Sequence, residues 1–268
     1  YSSMRVSDES AFKPSRHRCQ NFLIDKGIQR RIAAAAKLPP EAAVVEIGAG
    51  TGLLTEALLP HAARVIAVEI EAELASELAT RFDADPSVTV LNTDAMTLDF
   101  SGLGLSDYHV VANLPFSVGT RLIIGLLESA LAPTSMTVLL QRDVVERMCA
   151  RPGAMRLLSV IVQSRANVER LFDIPPGAFR PRPKVTSTLV RLAPLPLDEQ
   201  SRSRVSRRIA AARQAFRQPR KQLANALNAP YGNGNDLLAA GIDPKRRAET
   251  LSLDEWDTVA AAPAPIAT

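Results

Sequence analysis

Ala43-Val44-Val45-Glu46-Ile47-Gly48-Ala49-Gly50-Thr51-Gly52 reads as a short, mostly apolar strand that runs straight into a glycine-rich turn. The following residues, from Leu53 to about Pro60, have the composition of a helix. A strand, a glycine turn and a helix in that order begin an α/β fold whose central sheet is mostly parallel. A dinucleotide loop of the form G-x-G-x-x-G that starts at Gly48 requires glycine at 53, where this chain has leucine. The pattern present is Glu46-x-Gly48-x-Gly50-x-Gly52. Glycines let a backbone approach a ligand closely. A carboxylate just ahead of them repels a pyrophosphate but suits a cation, such as the sulfonium of S-adenosylmethionine (SAM).

The next strands repeat the arrangement. Arg64 to Val68 forms a second strand closed by Glu69, placed to take the two ribose hydroxyls of an adenosine, with Ile70 beside it to flank the base. An amphipathic helix over 71–82 carries Leu74, Leu78 and Phe82 on one face. Val88 to Leu91 is a third strand, followed by Asp94 and Ala95, a carboxylate and a backbone amide for the adenine edge. Alone, Asp94 reads as a helix N-cap. Glu46, Glu69 and Asp94 nevertheless form a spaced set at or near the ends of successive strands.

His109 to Asn113 is the fourth strand and delivers Asn113-Leu114-Pro115-Phe116 to its carboxyl end, where open α/β sheets hold ligands. The Asn113 amide offers a carbonyl acceptor, Pro115 fixes the backbone that carries the Leu114 carbonyl, and Phe116 offers an aromatic face for a base. These features suit methylation of an exocyclic amine on a nucleobase, a poor nucleophile because its lone pair is delocalised into the ring. Two acceptors that grip its hydrogens favour a pyramidal nitrogen, which is catalysis by positioning and electrostatics.

Further along, the pattern gives a helix over 119–131, a strand from Met136 to Gln141, a helix from Arg142 to about Cys149, a helix around 157–161 and an edge strand from Val168 to Phe172. A proline-dense loop over 174–185 is stiff enough to rim a pocket. It carries Phe179, a second candidate exposed aromatic, flanked by Arg180, Arg182 and Lys184. After a strand from Ser187 to Leu192, Pro194 and Pro196 mark a linker. Beyond it lie helices over about 201–217 and 220–227, a loop through Gly232-Asn233-Gly234, and short helices near 235–240 and 253–259. Trp256 is the core anchor of that region.

The chain's 268 residues suffice for one large domain and a smaller one. The expected division is a flexible basic segment over 1–18, a cofactor-binding domain over 19–193 and an all-α domain over 197–268. No apolar run approaches the roughly 20 residues of a membrane span, and no apolar signal core opens the chain, so a cytoplasmic protein is expected, an organellar one being also compatible. Cys19 and Cys149 lie far apart and the three histidines are scattered, which gives neither a disulfide framework nor a metal site. Net charge is only +4, yet from Arg202 to Lys221 the chain carries Arg202, Arg204, Arg207, Arg208, Arg213, Arg217, Arg220 and Lys221 with no acid. Lys13, Arg16, His17 and Arg18 form a second basic group. Both suit a polyanionic partner.

With these motifs in hand the chain resembles the ribosomal RNA adenine dimethyltransferases, and among them the bacterial small-subunit branch. The resemblance runs from about Gln20 to Val259. It rests on Gln20-Asn21-Phe22-Leu23, the Glu46 to Gly52 loop, Val68-Glu69, Asp94-Ala95-Met96, Asn113 to Phe116, Phe179-x-Pro181-x-Pro183-Lys184-Val185-x-Ser187, Gln214-Ala215-Phe216-x-Gln218-x-Arg220-Lys221, and Gly241-Ile242-Asp243-Pro244-x-x-Arg247-Ala248-Glu249. It departs at Cys19, where the family has glycine, at Phe116, where tyrosine is usual, at Ser117 to Thr120, and in a shortened stretch over 151–158.

The resemblance implies a Rossmann-like SAM-dependent methyltransferase domain with helices on both faces of its sheet, plus a small all-α C-terminal domain. It implies SAM ligands at Asn21, Leu23, Gly48, Glu69, Asp94 and Asn113, joined by the candidates Glu46, Gly50, Ile70 and Ala95. The target adenine is expected on Phe116, with Phe179 as a second face, and RNA phosphates on Arg180, Arg182, Lys184, Arg207, Arg208, Arg217, Arg220 and Lys221. The implied activity is dimethylation of two adjacent adenosines near the 3′ end of small-subunit rRNA, by a metal-free monomer acting on a pre-ribosomal particle. The alternatives are a large-subunit rRNA methyltransferase that confers macrolide resistance, and a non-catalytic RNA-binding assembly factor.

Overall fold

The computed structural model describes residues 21–227, 231 and 234–261. The basic segment over 1–18, Cys19, Gln20, Gly232, Asn233 and the Ala/Pro end beyond 261 lie outside the described residues. In chain order the elements are β1 (Phe22–Leu23), α1 (Lys26–Ala35), β2 (Ala43–Ile47), α2 (Leu53–Leu58), β3 (Arg64–Glu69), α3 (Ala72–Arg81), β4 (Val88–Asn92), β5 (His109–Asn113), α4 (Gly119–Glu128) and β6 (Ser135–Gln141). There follow α5 (Arg142–Met148), α6 (Leu157–Gln163), β7 (Ala166–Ile174), β8 (Phe179–Arg180), β9 (Ser187–Pro194), α7 (Glu199–Ala215), α8 (Leu223–Ala226), α9 (Gly234–Ala239) and α10 (Leu253–Ala261).

Seven strands form one sheet in the order β4-β3-β2-β5-β6-β9-β7. The pairs among β4, β3, β2, β5 and β6 are parallel. β9 enters antiparallel between β6 and β7. Val44, Val45, Val65, Ile66, Val110 and Val111 are buried in the middle, as expected for β-branched strands covered on both faces. From β2 the chain winds outward to β3 and β4, then returns to place β5 on the other side of β2. That reversal opens a crevice at the carboxyl ends of β2 and β5, the ligand position of open α/β sheets.

Several boundaries differ from the sequence pattern. The edge strand is longer than expected, and Pro194, expected in a linker, still pairs with Ala166 in the β7–β9 ladder. The helix starting at Gly119 stops at Glu128, short of 131. The basic helix begins earlier, at Glu199, because the Asp198 carboxylate caps it by accepting from Ser201 N at 2.8 Å. It ends before Pro219, whose ring and missing N–H stop a helix, so only Leu223 to Ala226 remains helical in the next stretch. The two-stranded ribbon β1–β8, with Leu23 opposite Phe179, has no signature in the local pattern, because strands of two residues carry no period.

Two hydrophobic cores meet at α6. Val162 packs into the sheet core, while Val160 and Ile161 join Val205, Ile209, Ala212, Leu223, Leu251 and Trp256 in the core of the C-terminal helices. The short segment before α6 is tied to the same helices. Gly153 N donates to the Glu249 carbonyl at 2.8 Å, and the Arg156 guanidinium pairs with the Glu249 carboxylate at 2.9 Å.

Candidate functional site

Residues from β1, the β2–α2 turn, the end of β3, the β4 turn and the end of β5 line a continuous cleft made of three adjoining cavities. The central one is lined by Asn21, Phe22, Gly48, Gly50, Glu69, Ile70, Asn113, Leu114, Pro115 and Phe116. On one side it continues into a cavity of about 460 Å³ that includes Ile70, Asp94, Ala95, Met96, Pro115 and Arg121. On the other side lies a small one of about 30 Å³ bounded by Leu23, Gln29, Glu46, Gly48, Gly50 and Asn113. Every residue expected from the sequence to hold a cofactor or the reacting amine borders one of the three.

Glycine is required locally at the turn. Gly52 has φ 76°, and a Cβ there would lie 2.6 Å from Leu78 and 2.9 Å from Phe82. Gly50, with φ 56°, sits against the Phe22 ring, 3.1 Å from where its Cβ would be. The chain at β1 therefore covers the turn from above. The turn is also held from α3, whose Arg81 donates to the Thr51 carbonyl at 2.7 Å and pairs with Glu56.

The three carboxylates behave differently from one another. Glu69 is buried and clasped by backbone, with Oε2 accepting from Gly50 N at 2.8 Å and Oε1 from Glu71 N at 2.9 Å. Asp94 accepts from Met96 N at 2.8 Å and so shapes its own turn. Glu46 is 1% exposed and accepts from Thr55 Oγ1 at 2.6 Å. Burial pushes its carboxyl up to about 8, opposed by the Thr55 hydroxyl and reinforced by the nearby Glu69. The sequence reading treats Glu46 as a standing negative charge; its burial instead favours the neutral carboxyl at pH 7.

Asn113 closes β5 with its amide partly exposed. Its Nδ2 donates to the Asn21 carbonyl at 3.1 Å, and Oδ1 is the side chain's acceptor. The Leu114 side chain is buried, whereas Pro115 and Phe116 are half-buried at the cleft wall. The Pro115 carbonyl receives Val118 N and Gly119 N, which anchors the turn to the start of α4. A methyl group at Gly119 would come within 2.8 Å of Leu140, so close packing holds that turn as well.

Two substrate candidates fall elsewhere. Phe179, expected as an exposed face, is 2% exposed and packs with Leu23, Ile32, Ala178 and Leu189. Its ribbon pairing with Leu23 turns it inward and its neighbour Arg180 outward. Arg208, expected on a basic surface, is also buried. Its Nε donates to Asp257 Oδ1 at 2.7 Å, its Nη2 pairs with Asp257 Oδ2, and its Nη1 reaches Ser164 Oγ at 3.1 Å. Asp257 comes from α10, so a run without local acids is not a run without partners. Arg180, Arg182, Lys184, Arg207, Arg217, Arg220 and Lys221 are exposed.

Gln29, Phe22, Thr55 and Arg81 were not singled out by sequence. Only Gln29 carried a usable signal, being polar on the α1 face that also holds Ile32 and Ala33. Among the described residues no group of three His, Cys, Asp or Glu side chains is placed to hold a metal ion, and no helix is long and apolar enough to cross a membrane.

The sequence matches the family described as "Ribosomal RNA adenine dimethylase" over residues 12–263. It is 41% identical over 241 residues to the ribosomal RNA small subunit methyltransferase A of Aromatoleum aromaticum, covering 88% of this chain and 89% of that protein. It is 40% identical over 259 residues to the protein of the same name from Syntrophotalea carbinolica, covering 92% and 96%. Among solved structures, a dimethyladenosine transferase from Plasmodium falciparum superposes with a TM-score of 0.76 at 24% identity, covering 88% of this chain and 95% of that one. The 23S rRNA methyltransferase ErmE gives 0.72 at 24% identity over 90% and 98%. At that identity the two structures speak to the fold, a Rossmann-like methyltransferase domain with a helical C-terminal region.

Proposed function

This chain belongs to the ribosomal RNA adenine dimethylase family, and from that premise we propose that its cleft binds SAM and one flipped adenosine of small-subunit rRNA. The enzyme is a SAM-dependent RNA adenine methyltransferase, as its small-subunit relatives indicate. The specific sites are two adjacent adenosines near the 3′ end of the small-subunit rRNA, modified on a pre-ribosomal particle by a monomer. The observation that carries the reading is the Asn113 amide, held by its hydrogen bond to the Asn21 carbonyl at the cleft wall beside Leu114, Pro115 and Phe116.

The residues present fit the cofactor. Glu69, Ile70, Asp94 and Ala95 line the adenosine end, and the Gly48–Gly50 turn gives a close backbone approach. Among the described residues the buried Gln29 Oε1 has no partner. Bound SAM supplies an electrophilic methyl group on a sulfonium. Asn113 Oδ1 and the Leu114 carbonyl each accept one N–H of the adenine amine. That grip pyramidalises the nitrogen, frees its lone pair and aims it along the cleft. Stacking on Phe116, about 1–3 kcal/mol per base, offsets an unstacking cost of a few kcal/mol. Methyl transfer would break the methyl carbon–sulfur bond as the N–C bond forms, with S-adenosylhomocysteine as the leaving group and the displaced N–H proton going to solvent. The first product keeps one N–H for a second round and the second product keeps none.

Residues 197–261 serve substrate recognition, with Arg207, Arg217, Arg220 and Lys221 on phosphates, and Arg180, Arg182 and Lys184 extend that surface beside β1. The test is incubation with radiolabelled SAM and undermethylated small subunits, followed by mapping of the labelled nucleotides. Two labelled neighbouring adenosines near the 3′ end are expected. Label confined to large-subunit rRNA, or no label, overturns the assignment.

A further inference from the structure

The small cavity at the far end of the cleft has a chemistry of its own. Among the described residues its polar side chains are Gln29, Glu46, Thr51 and Asn113, and no Lys, Arg or His borders it. Gln29 reaches it from α1, where its neighbours on the buried face are Ile32 and Ala33. An amide at such a position costs about 1–3 kcal/mol for each buried polar atom left unpaired. Its donor half is used, because Nε2 gives a hydrogen bond to the Leu23 carbonyl at 2.5 Å. Its acceptor half is not, since Oε1 is buried with no partner among the described residues although the residue is only 2% exposed. Glu46 stands at the same cavity, with one oxygen engaged by Thr55. Two oxygen-bearing groups therefore border a space of about 30 Å³, enough for a group no larger than one or two waters. Such a corner takes a compact multiple donor, and an ammonium is that donor.

Resting on the cofactor reading above, we infer that Gln29 is a further cofactor-binding residue, its Oε1 receiving, together with Glu46, the α-ammonium of the amino-acid end of SAM. The orientation follows from the cleft. Glu69, Ile70 and Asp94 take the adenosine at one side, so the amino-acid end extends past Gly48 to the side where Gln29 and Glu46 sit. Gln29 has a second tie to the same end. Leu23, whose carbonyl it holds, lies two residues from Asn21, whose carbonyl holds the Asn113 amide. Removing the whole side chain therefore mixes two effects, and the variants must separate them.

Calorimetric titration of the full chain with S-adenosylhomocysteine and with its des-amino analogue isolates the ammonium, because neither ligand carries a sulfonium. Wild type is expected to prefer the amino ligand by about tenfold or more, the scale of a charge-assisted hydrogen bond. Gln29→Met, which removes donor and acceptor, is expected to cut that preference about fivefold or more, on top of whatever loss both ligands share through the broken Leu23 tie. Gln29→Glu keeps an acceptor and loses the donor to Leu23, and it is expected to retain the preference. Equal losses for both ligands in Gln29→Met would show a merely structural glutamine and overturn the inference. If Gln29→Met does not fold, Gln29→Glu and wild type decide: loss of the preference in Gln29→Glu, or its absence in wild type, overturns it. Equal binding of both ligands by wild type refutes the ammonium site and leaves the cofactor reading intact, whereas no binding of either refutes both.

Discussion

In the cleft, Glu46, Glu69 and Asp94 stand at or near the ends of neighbouring strands, and each meets a backbone N–H or a hydroxyl from a turn or helix that follows a strand. On α7, arginines that look alike in sequence divide into an outward set and an inward one, and the partner of Arg208 comes from α10, 49 residues away. Neighbours on the strands and turns decide the first region, and the tertiary fold decides the second. A carboxylate at a parallel strand end is placed by the sheet itself. An arginine on an amphipathic helix is placed by whichever element packs against it.

The contrast can be broken most forcefully at Arg208 and its neighbour Arg207. Arg208→Ala leaves Asp257 half-desolvated without its bidentate partner and is expected to destabilise the fold by about 3 kcal/mol. Arg207→Ala is expected to leave the unfolding midpoint unchanged and to weaken RNA binding, reducing its salt-dependence slope by about 1. Urea unfolding and RNA titrations over a salt series check both. If the two variants behave alike, the division of α7 into inward and outward arginines is wrong.

Glu46 tests the cleft side of the comparison. Its folded carboxyl titrates near 8 and its unfolded one near 4.5, so the native state binds the extra proton between those values. Stability contributed by the neutral buried carboxyl is complete below about 4.5 and is lost as pH rises toward 8. Glu46→Gln, which keeps an acceptor for Thr55, is expected to match wild type in Tm at pH 5 and to exceed it progressively up to pH 8. The gap is on the order of 4 kcal/mol near pH 8 by thermal unfolding. A gap that does not vary with pH would mean that Glu46 is ionised throughout.

Phe116 sharpens the comparison with the smallest expected effect. Phe116→Leu keeps an apolar wall and loses the stacking face, which should lower kcat/KM for RNA about tenfold, at the low end of base–aromatic stacking, with S-adenosylhomocysteine affinity unchanged. Equal losses in both would make Phe116 part of the cofactor wall.

What was legible in the chain follows the same division. The glycine turn, the strand-end acids and the Asn113–Phe116 segment announce themselves because a strand, its turn and its ligand groups are contiguous in sequence. Phe179 misled because its direction depends on pairing with Leu23, more than 150 residues earlier, through strands too short to show alternation. Arg208 misled because a charge run says nothing about acids brought from elsewhere. The charge of Glu46 was misjudged for a third reason: its position was readable, but the burial that neutralises it is a property of the packed sheet. Gln29 lay in plain view on an apolar helix face, where one polar residue among Ile32 and Ala33 marks a position held for a polar partner.

The central claim is that two oxygens at the tip of β5 grip an adenine amine, and single-turnover methyl transfer by Asn113→Ala tests it most directly when paired with S-adenosylhomocysteine titration of the same variant. A fall in rate of at least about a hundredfold is expected, the scale of removing one positioned polar group from an active site, with cofactor affinity reduced only severalfold. Transfer at the wild-type rate, or a loss of turnover matched in full by loss of cofactor binding, would contradict it.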